Sequence, residues 1–145
     1  MTLRDRVLQS DGPAAVVLVR LMVGAVFLSE GIQKFLFSDQ LGAGRFIKIG
    51  IPAPELLAPF VGAVEIVCGA LVLIGLLTRL AAIPLIINML VAIASTKIPI
   101  LLGKGFWAIA HEARTDWSML LGSTFLLIVG AGPWSLDSRL GGKRQ

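Results

Sequence analysis

Residues 56–102 read LLAPFVGAVEIVCGALVLIGLL, then Thr78-Arg79, then LAAIPLIINMLVAIASTKIPILL: two apolar runs parted by two polar residues. Each run exceeds the roughly 20 residues that a helix needs to cross the hydrocarbon layer. The runs are continuous rather than alternating, which selects helices over the strands of a barrel. A turn as short as Thr78-Arg79 forces them into an antiparallel hairpin. Working outward, Ala14–Leu36 and Trp117–Leu136 are windows of the same kind. The expected fold is all-α: an integral membrane bundle of four transmembrane helices forming one domain over residues 1–145. The spans are set at 14–36, 56–77, 80–102 and 117–136.

Composition supports lipid as the surrounding phase. Of 145 residues, 56% are hydrophobic and 15% charged, more apolar surface than so short a chain can bury in its own core. The net charge of +4 comes from basic residues placed singly or in pairs at the ends of apolar runs, so no basic stripe exists for nucleic acid. One cysteine, Cys68, excludes an intrachain disulfide and a Cys-x-x-Cys redox pair. One histidine, His111, excludes an in-chain bis-histidine haem, and no metal site is expected. Arg20, Glu30 and Lys34 interrupt the first run, and no small-residue cleavage site follows it, so it reads as a retained span rather than a signal peptide.

Local punctuation marks the span ends: Gly12-Pro13, Pro52 with Pro54, Thr78-Arg79, and Gly132-Pro133. Pro84 and Pro99 fall inside the third span, where each removes a backbone donor and favours a kink. Two longer connections, 37–55 and 103–116, lie on one side and are expected to cap that end of the bundle. Their apolar residues, Phe46, Ile47, Ile49 and Ile51, then Phe106, Trp107 and Ile109, suit interfacial pieces better than solvated loops. Lys and Arg are balanced between the two faces. Setting aside Lys34, Lys97 and Arg114 as site residues tips the count towards cytoplasmic termini.

Five ionisable residues lie in the spans, Arg20, Glu30, Lys34, Glu65 and Lys97, with Arg114 and Asp116 at the mouth of the fourth. A lone charge at the bilayer centre costs about 2.5–3.5 kcal/mol on insertion scales, so these groups are expected to converge, to snorkel or to be neutralised. Arg20, Glu30 and Lys34 share an arc of roughly 80° on the first helix. Glu65 lies near mid-membrane between Gly62 and Gly69, on a face whose small residues permit close helix approach. The expected arrangement is a polar cavity with Glu65 at its floor and Lys34, Lys97, Arg114 and Asp116 at its mouth. Each residue also has a plainer reading. Glu30 with Lys34 suits a structural pair, Arg20 a snorkelling residue or a carbonyl cap, Lys97 a snorkelling amine, Asn88 a bond across helices or to the backbone freed by Pro84, and Cys68 a small core side chain.

The chain resembles the DoxX family of small bacterial membrane proteins over nearly its whole length. The likeness rests on Arg20-Leu21, Gly24, Phe27, Gly31 and Lys34 in the first span and on Gly50-Ile51-Pro52 before the second. It continues through Gly62, Glu65 and Gly69, Gly75 with Thr78-Arg79, and Asp116 leading to Gly132-Pro133-Trp134-Ser135-Leu136-Asp137. Gly24, Gly31, Gly62 and Gly69 are taken as helix-packing positions. The resemblance implies a four-helix membrane fold in a bacterial inner membrane. In some members it also implies a role as subunit of a thiosulfate:quinone oxidoreductase. Carried onto this sequence, it points to Lys34, Glu65 and Asp116 as catalytic positions; Glu30, Lys97 and Arg114 are expected to bind substrate from their charge and place at the mouth of the cavity. A quinone is the implied ligand, with an oxyanion such as thiosulfate suited to Lys34, Lys97 and Arg114. A partner redox subunit is implied, a homo-oligomer is compatible, and no covalently bound cofactor is expected. Two other readings stay open: a non-enzymatic scaffold that recruits a redox enzyme, and a small-solute transporter.

Overall fold

Backbone groups inside a bilayer have no water to bond, and the chain answers with helix throughout. The computed structural model describes residues 3–10 and 12–141, and among them every regular element is helical. In chain order these are α1 (Leu3–Leu8), α2 (Val16–Leu36), α3 (Ser38–Leu41), α4 (Ala43–Lys48), α5 (Pro54–Ile74) and α6 (Thr78–Ala92). After α6 a π-helical turn, Ile93–Lys97, leads to α7 (Ile98–Lys104), α8 (Phe106–Glu112), α9 (Arg114–Val129) and α10 (Leu136–Leu140). Lys143 and Arg144, counted in the charge balance, lie outside the described residues.

Three of these stretches are long and apolar enough to span a membrane: Val16–Leu36, Pro54–Ile74, and the unbroken 27 residues Thr78–Lys104. The fourth expected span needs correction. Helix α9 has 16 residues, roughly 24 Å, and stops at Val129 instead of running to Leu136. The cause is local: Gly130 and Gly132 adopt φ of 87° and 78°, which end the helix and turn the chain back over the bundle. The apolar run continues past Gly130 in composition only.

Helices α2, α5, α6 and α9 pack in that cyclic order, α2 against α5 and α9, and α6 against α5 and α9. Their shared core holds Val23, Phe27, Val72, Leu85 and Leu126, all essentially inaccessible. Large apolar side chains on the outer faces, such as Leu18, Phe60, Ile87 and Leu121, remain exposed, as a lipid-facing surface requires.

The α2–α5 contact is a glycine seam. A Cβ added to Gly31 would lie 2.6 Å from the Gly62 carbonyl oxygen, and one added to Gly69 would lie 3.0 Å from that of Gly24. Within each helix the two glycines stand seven residues apart, two turns on one face, so both backbones touch along their length.

Pro99 cannot donate to the helix, and the π-helical turn that ends at Lys97, two residues before it, absorbs the mismatch. Ser95 Oγ donates to the Val91 carbonyl at 2.8 Å and Thr96 Oγ1 to that of Ala92 at 2.6 Å, so both hydroxyls of the widened turn bond back onto the preceding helix. At the same end, α4 folds onto α5 through Ala43, Phe46 and Ala58. Helix α8 instead turns Phe106 and Trp107 outward, 65% and 82% exposed. The two connections therefore lie at one end, as expected, and fold as short helices, but only the first packs onto the bundle as a cover.

Candidate functional site

Glu65 is the deepest acid in the bundle, 11 residues from the start of α5 and 9 from its end, hence about 14–16 Å from either. Its side chain is 3% exposed. A carboxylate so placed must be paired, and both oxygens are. Lys34 Nζ donates to Oε2 at 2.7 Å, and Asn88 Nδ2 donates to Oε1 at 2.6 Å. Three helices, α2, α5 and α6, thus meet at one carboxyl group.

The seam explains how Lys34 reaches so far. With Gly31 opposite Gly62 and Gly24 opposite Gly69, Lys34 stands level with Pro59, six residues or roughly 9 Å nearer the loop end than Glu65. Side chains lean towards the N-terminus of their own helix. In an antiparallel pair Lys34 therefore leans inward and Glu65 towards the loops, and the gap closes. Glycine at position 62 leaves the Lys34 stem room, since a Cβ there would sit 3.4 Å from Lys34 Cβ.

Glu30, one turn before Lys34, is the outer member, with Oε2 4.0 Å from Lys34 Nζ and a side chain 52% exposed. Lys97 and Asp116 form a second pair at 3.3 Å, tying the π-helical turn to the first turn of α9. Arg114 is exposed and turns to the preceding helix, donating from Nη1 to His111 Nε2 at 2.8 Å and to the His111 carbonyl at 2.9 Å. An arginine only donates, so His111 Nε2 is the acceptor. Lys97 and Arg114, grouped with Lys34 in the sequence reading, are thus each engaged elsewhere. Cys68 packs in the core. Among the described residues no group of histidine, cysteine and carboxylate side chains is placed to hold a metal.

The opposite end of the bundle is closed by side chains that sequence reasoning only partly identified. Arg20 is buried and donates to four carbonyls: Nε to Val72 at 2.9 Å, Nη2 to Leu73 at 2.6 Å, and Nη1 to Ala131 at 3.2 Å and Trp134 at 2.6 Å. They lie at the end of α5 and after α9, and of them Val72 also accepts from the Gly75 amide at 3.2 Å, so Arg20 is a cap rather than a snorkelling residue. Asp137, read only as part of a motif, accepts from the Leu77 and Thr78 amides at 2.7 and 3.0 Å and so caps α6 from 59 residues away. The available signal was the tight 75–78 turn, which offers no side chain of its own to the first amides of α6. Gly75 is obligatory in this knot, with φ of 69° and a would-be Cβ 2.8 Å from Arg20 Cζ. An apolar recess of about 440 Å³ also lies at this end, lined by Leu3, Val7, Leu8, Leu76, Leu77 and Leu140, and holds none of the candidate polar residues.

Comparison with known proteins bears on both ends. The DoxX family profile matches residues 15–98, which include Arg20, Lys34, Glu65 and Asn88. A Mycobacterium tuberculosis protein named as an uncharacterised membrane protein is 60% identical over 93% of this chain and 86% of its own length. A Bacillus subtilis protein named "Putative oxidoreductase CatD" is 28% identical over 83% of each chain. No solved structure matches the chain significantly. With more than half of its length matched by the profile and a close full-length relative, the chain belongs to the DoxX family of membrane proteins.

Proposed function

We propose that the protein is the membrane subunit of a quinone-linked oxidoreductase system, with the Lys34–Glu65–Asn88 cluster as the head-group site. One observation carries the reading: an acid buried at mid-membrane depth whose two oxygens are held by donors from two other helices. A quinone carbonyl needs a hydrogen-bond donor, and its reduction to quinol takes up two electrons and two protons. Lys34 Nζ and Asn88 Nδ2 are the donors, and Glu65 is the carboxyl that exchanges protons. A carbonyl entering between them replaces one acceptor by another, so no donor is stranded. The electrons come from a partner redox subunit or directly from a donor such as a reduced sulfur oxyanion drawn to the basic loop end. The name of the Bacillus subtilis relative agrees with redox work in this family.

In the same reading α9 and the 130–135 turn together complete a fourth crossing, the protein sits in the bacterial inner membrane, and the loop end faces away from the cytoplasm. A second reading has its own support. Glu65 is already satisfied on both oxygens, which also suits a purely structural brace in a scaffold that recruits an enzyme.

Mass spectrometry of organic extracts from protein purified in native-lipid particles separates the two. Quinone per protein above that of an unrelated four-span control, reduced by Glu65→Gln, supports the redox reading. Quinone at the control level refutes it and leaves the scaffold.

A further inference from the structure

Resting on that reading of the cluster, we infer that its ligand enters sideways from the bilayer, through a cleft between the loop-side halves of α2 and α9. At mid-bundle these helices touch: a Cβ on Gly122 would lie 2.7 Å from Val23 Cγ2, and Val23 is wholly buried. One turn nearer the loops, Phe27 on α2 and Met119 on α9 are still buried, at 1% and 3% exposure. A second turn on, the seal is gone. Glu30 lies seven residues beyond Val23, and Thr115 seven before Gly122, so each returns to within about 20° of the facing stripe. Glu30 is nevertheless half exposed and Thr115 is exposed.

The cause is the short start of α9. It begins at Arg114, level with Glu30, while α2 runs on to Leu36, so α9 does not flank the last turns of α2. Neither connection fills the space, since α4 is seated on α5 and α8 turns its aromatic residues outward. The floor of the cleft is Phe27 with Met119. Its α2 wall carries Glu30 and, one turn on, Lys34, whose ammonium reaches Glu65.

The occupant that fits is an isoprenoid quinone. Glu30 lies roughly 9 Å below the end of α2, within the hydrocarbon layer. A side opening at that depth admits a polar head while an apolar tail stays in lipid.

The test uses Thr115→Cys in native-lipid particles, modified after folding with benzyl methanethiosulfonate and later released by reductant. Wild-type protein, whose Cys68 is buried, is the labelling blank. Exchange of bound quinone for deuterated quinone supplied in the lipid is followed by mass spectrometry. Modification is expected to slow exchange about tenfold or more, as a blocked gate does, with recovery on release. The same reagent on Leu121→Cys, on the lipid face of α9, leaves the rate unchanged. Wild-type exchange in modified Thr115→Cys overturns the entrance while leaving the site intact. Failure of Thr115→Cys to react also overturns it, because another chain then covers the cleft. Quinone at the control level in wild-type protein overturns the head-group site itself, and the entrance with it.

Discussion

Replacing Lys34 by Met removes the ammonium and keeps most of the stem, leaving Glu65 bonded only to Asn88. At 2.7 Å and an effective dielectric of about 20, the lost attraction is about 6 kcal/mol before desolvation is counted. Much of that is offset in the native protein by the desolvation of both groups, so the pair's net worth is small, but removing one member strands the other. Measured losses of this kind run to about 3–5 kcal/mol, with the lower end expected where the carboxyl can take up a proton instead. Lys34→Met should therefore destabilise by about 3 kcal/mol, and Glu65→Gln by less, about 1–2 kcal/mol, since an amide can still accept from Lys34 and needs no counter-charge. The double variant should be less destabilised than the sum by about 1–3 kcal/mol. The assay is reversible unfolding of the purified protein in mixed micelles, followed by helical circular dichroism. Additive single effects, or a Lys34→Met variant as stable as wild type, would refute the claim that Glu65 depends on Lys34.

Gly31→Leu should separate α2 from α5, because even a Cβ meets the Gly62 carbonyl at 2.6 Å; a loss of about 2–3 kcal/mol in the same assay is expected, with little change counting against the seam. Asp137→Ala should cost about 1–2 kcal/mol and raise amide exchange at Leu77 and Thr78, and unchanged exchange there would remove Asp137 as their cap. Single cysteines at Arg6 and Arg139 should resist impermeant maleimide in intact cells while one at Lys48 reacts, and the opposite pattern would invert the orientation.

Much of this fold was legible because the apolar runs are long and the α5–α6 turn is short, which together dictate helices and a hairpin. The end of α9 was not, because Ile128 to Leu136 continues to read apolar while Gly130 and Gly132 change the backbone, and hydropathy carries no dihedral information. In the candidate site, Glu65 and Lys34 stood out as charges in a setting that penalises them, and the glycines marked packing faces on their two helices without telling that these faces meet each other. Asn88 was readable only as a polar residue needing some partner. Arg114 was grouped with the cluster by its place in the chain, yet its side chain has a nearer acceptor three residues back on His111. The cap by Asp137 spans 59 residues and has no periodic signature at all.

The knot formed by Arg20, Gly75 and residues 131–137 also orders events during synthesis. When α2, α5 and α6 have entered the bilayer, the Arg20 guanidinium has Val72 and Leu73 to bond, but the carbonyls of Ala131 and Trp134 and the carboxylate that holds Leu77 and Thr78 are not yet made. Until they arrive, a buried cation is half coordinated and the α5–α6 turn carries bare amides, both unfavourable in hydrocarbon. The first three long helices are thus joined at the glycine seam and at Glu65 but left unfastened at the turn end. Emergence of the stretch after α9 is then the step that commits the protein to its native assembly, and a ribosome stalled before Ala131 should leave a product that inserts but remains open to proteolysis at the 75–78 turn.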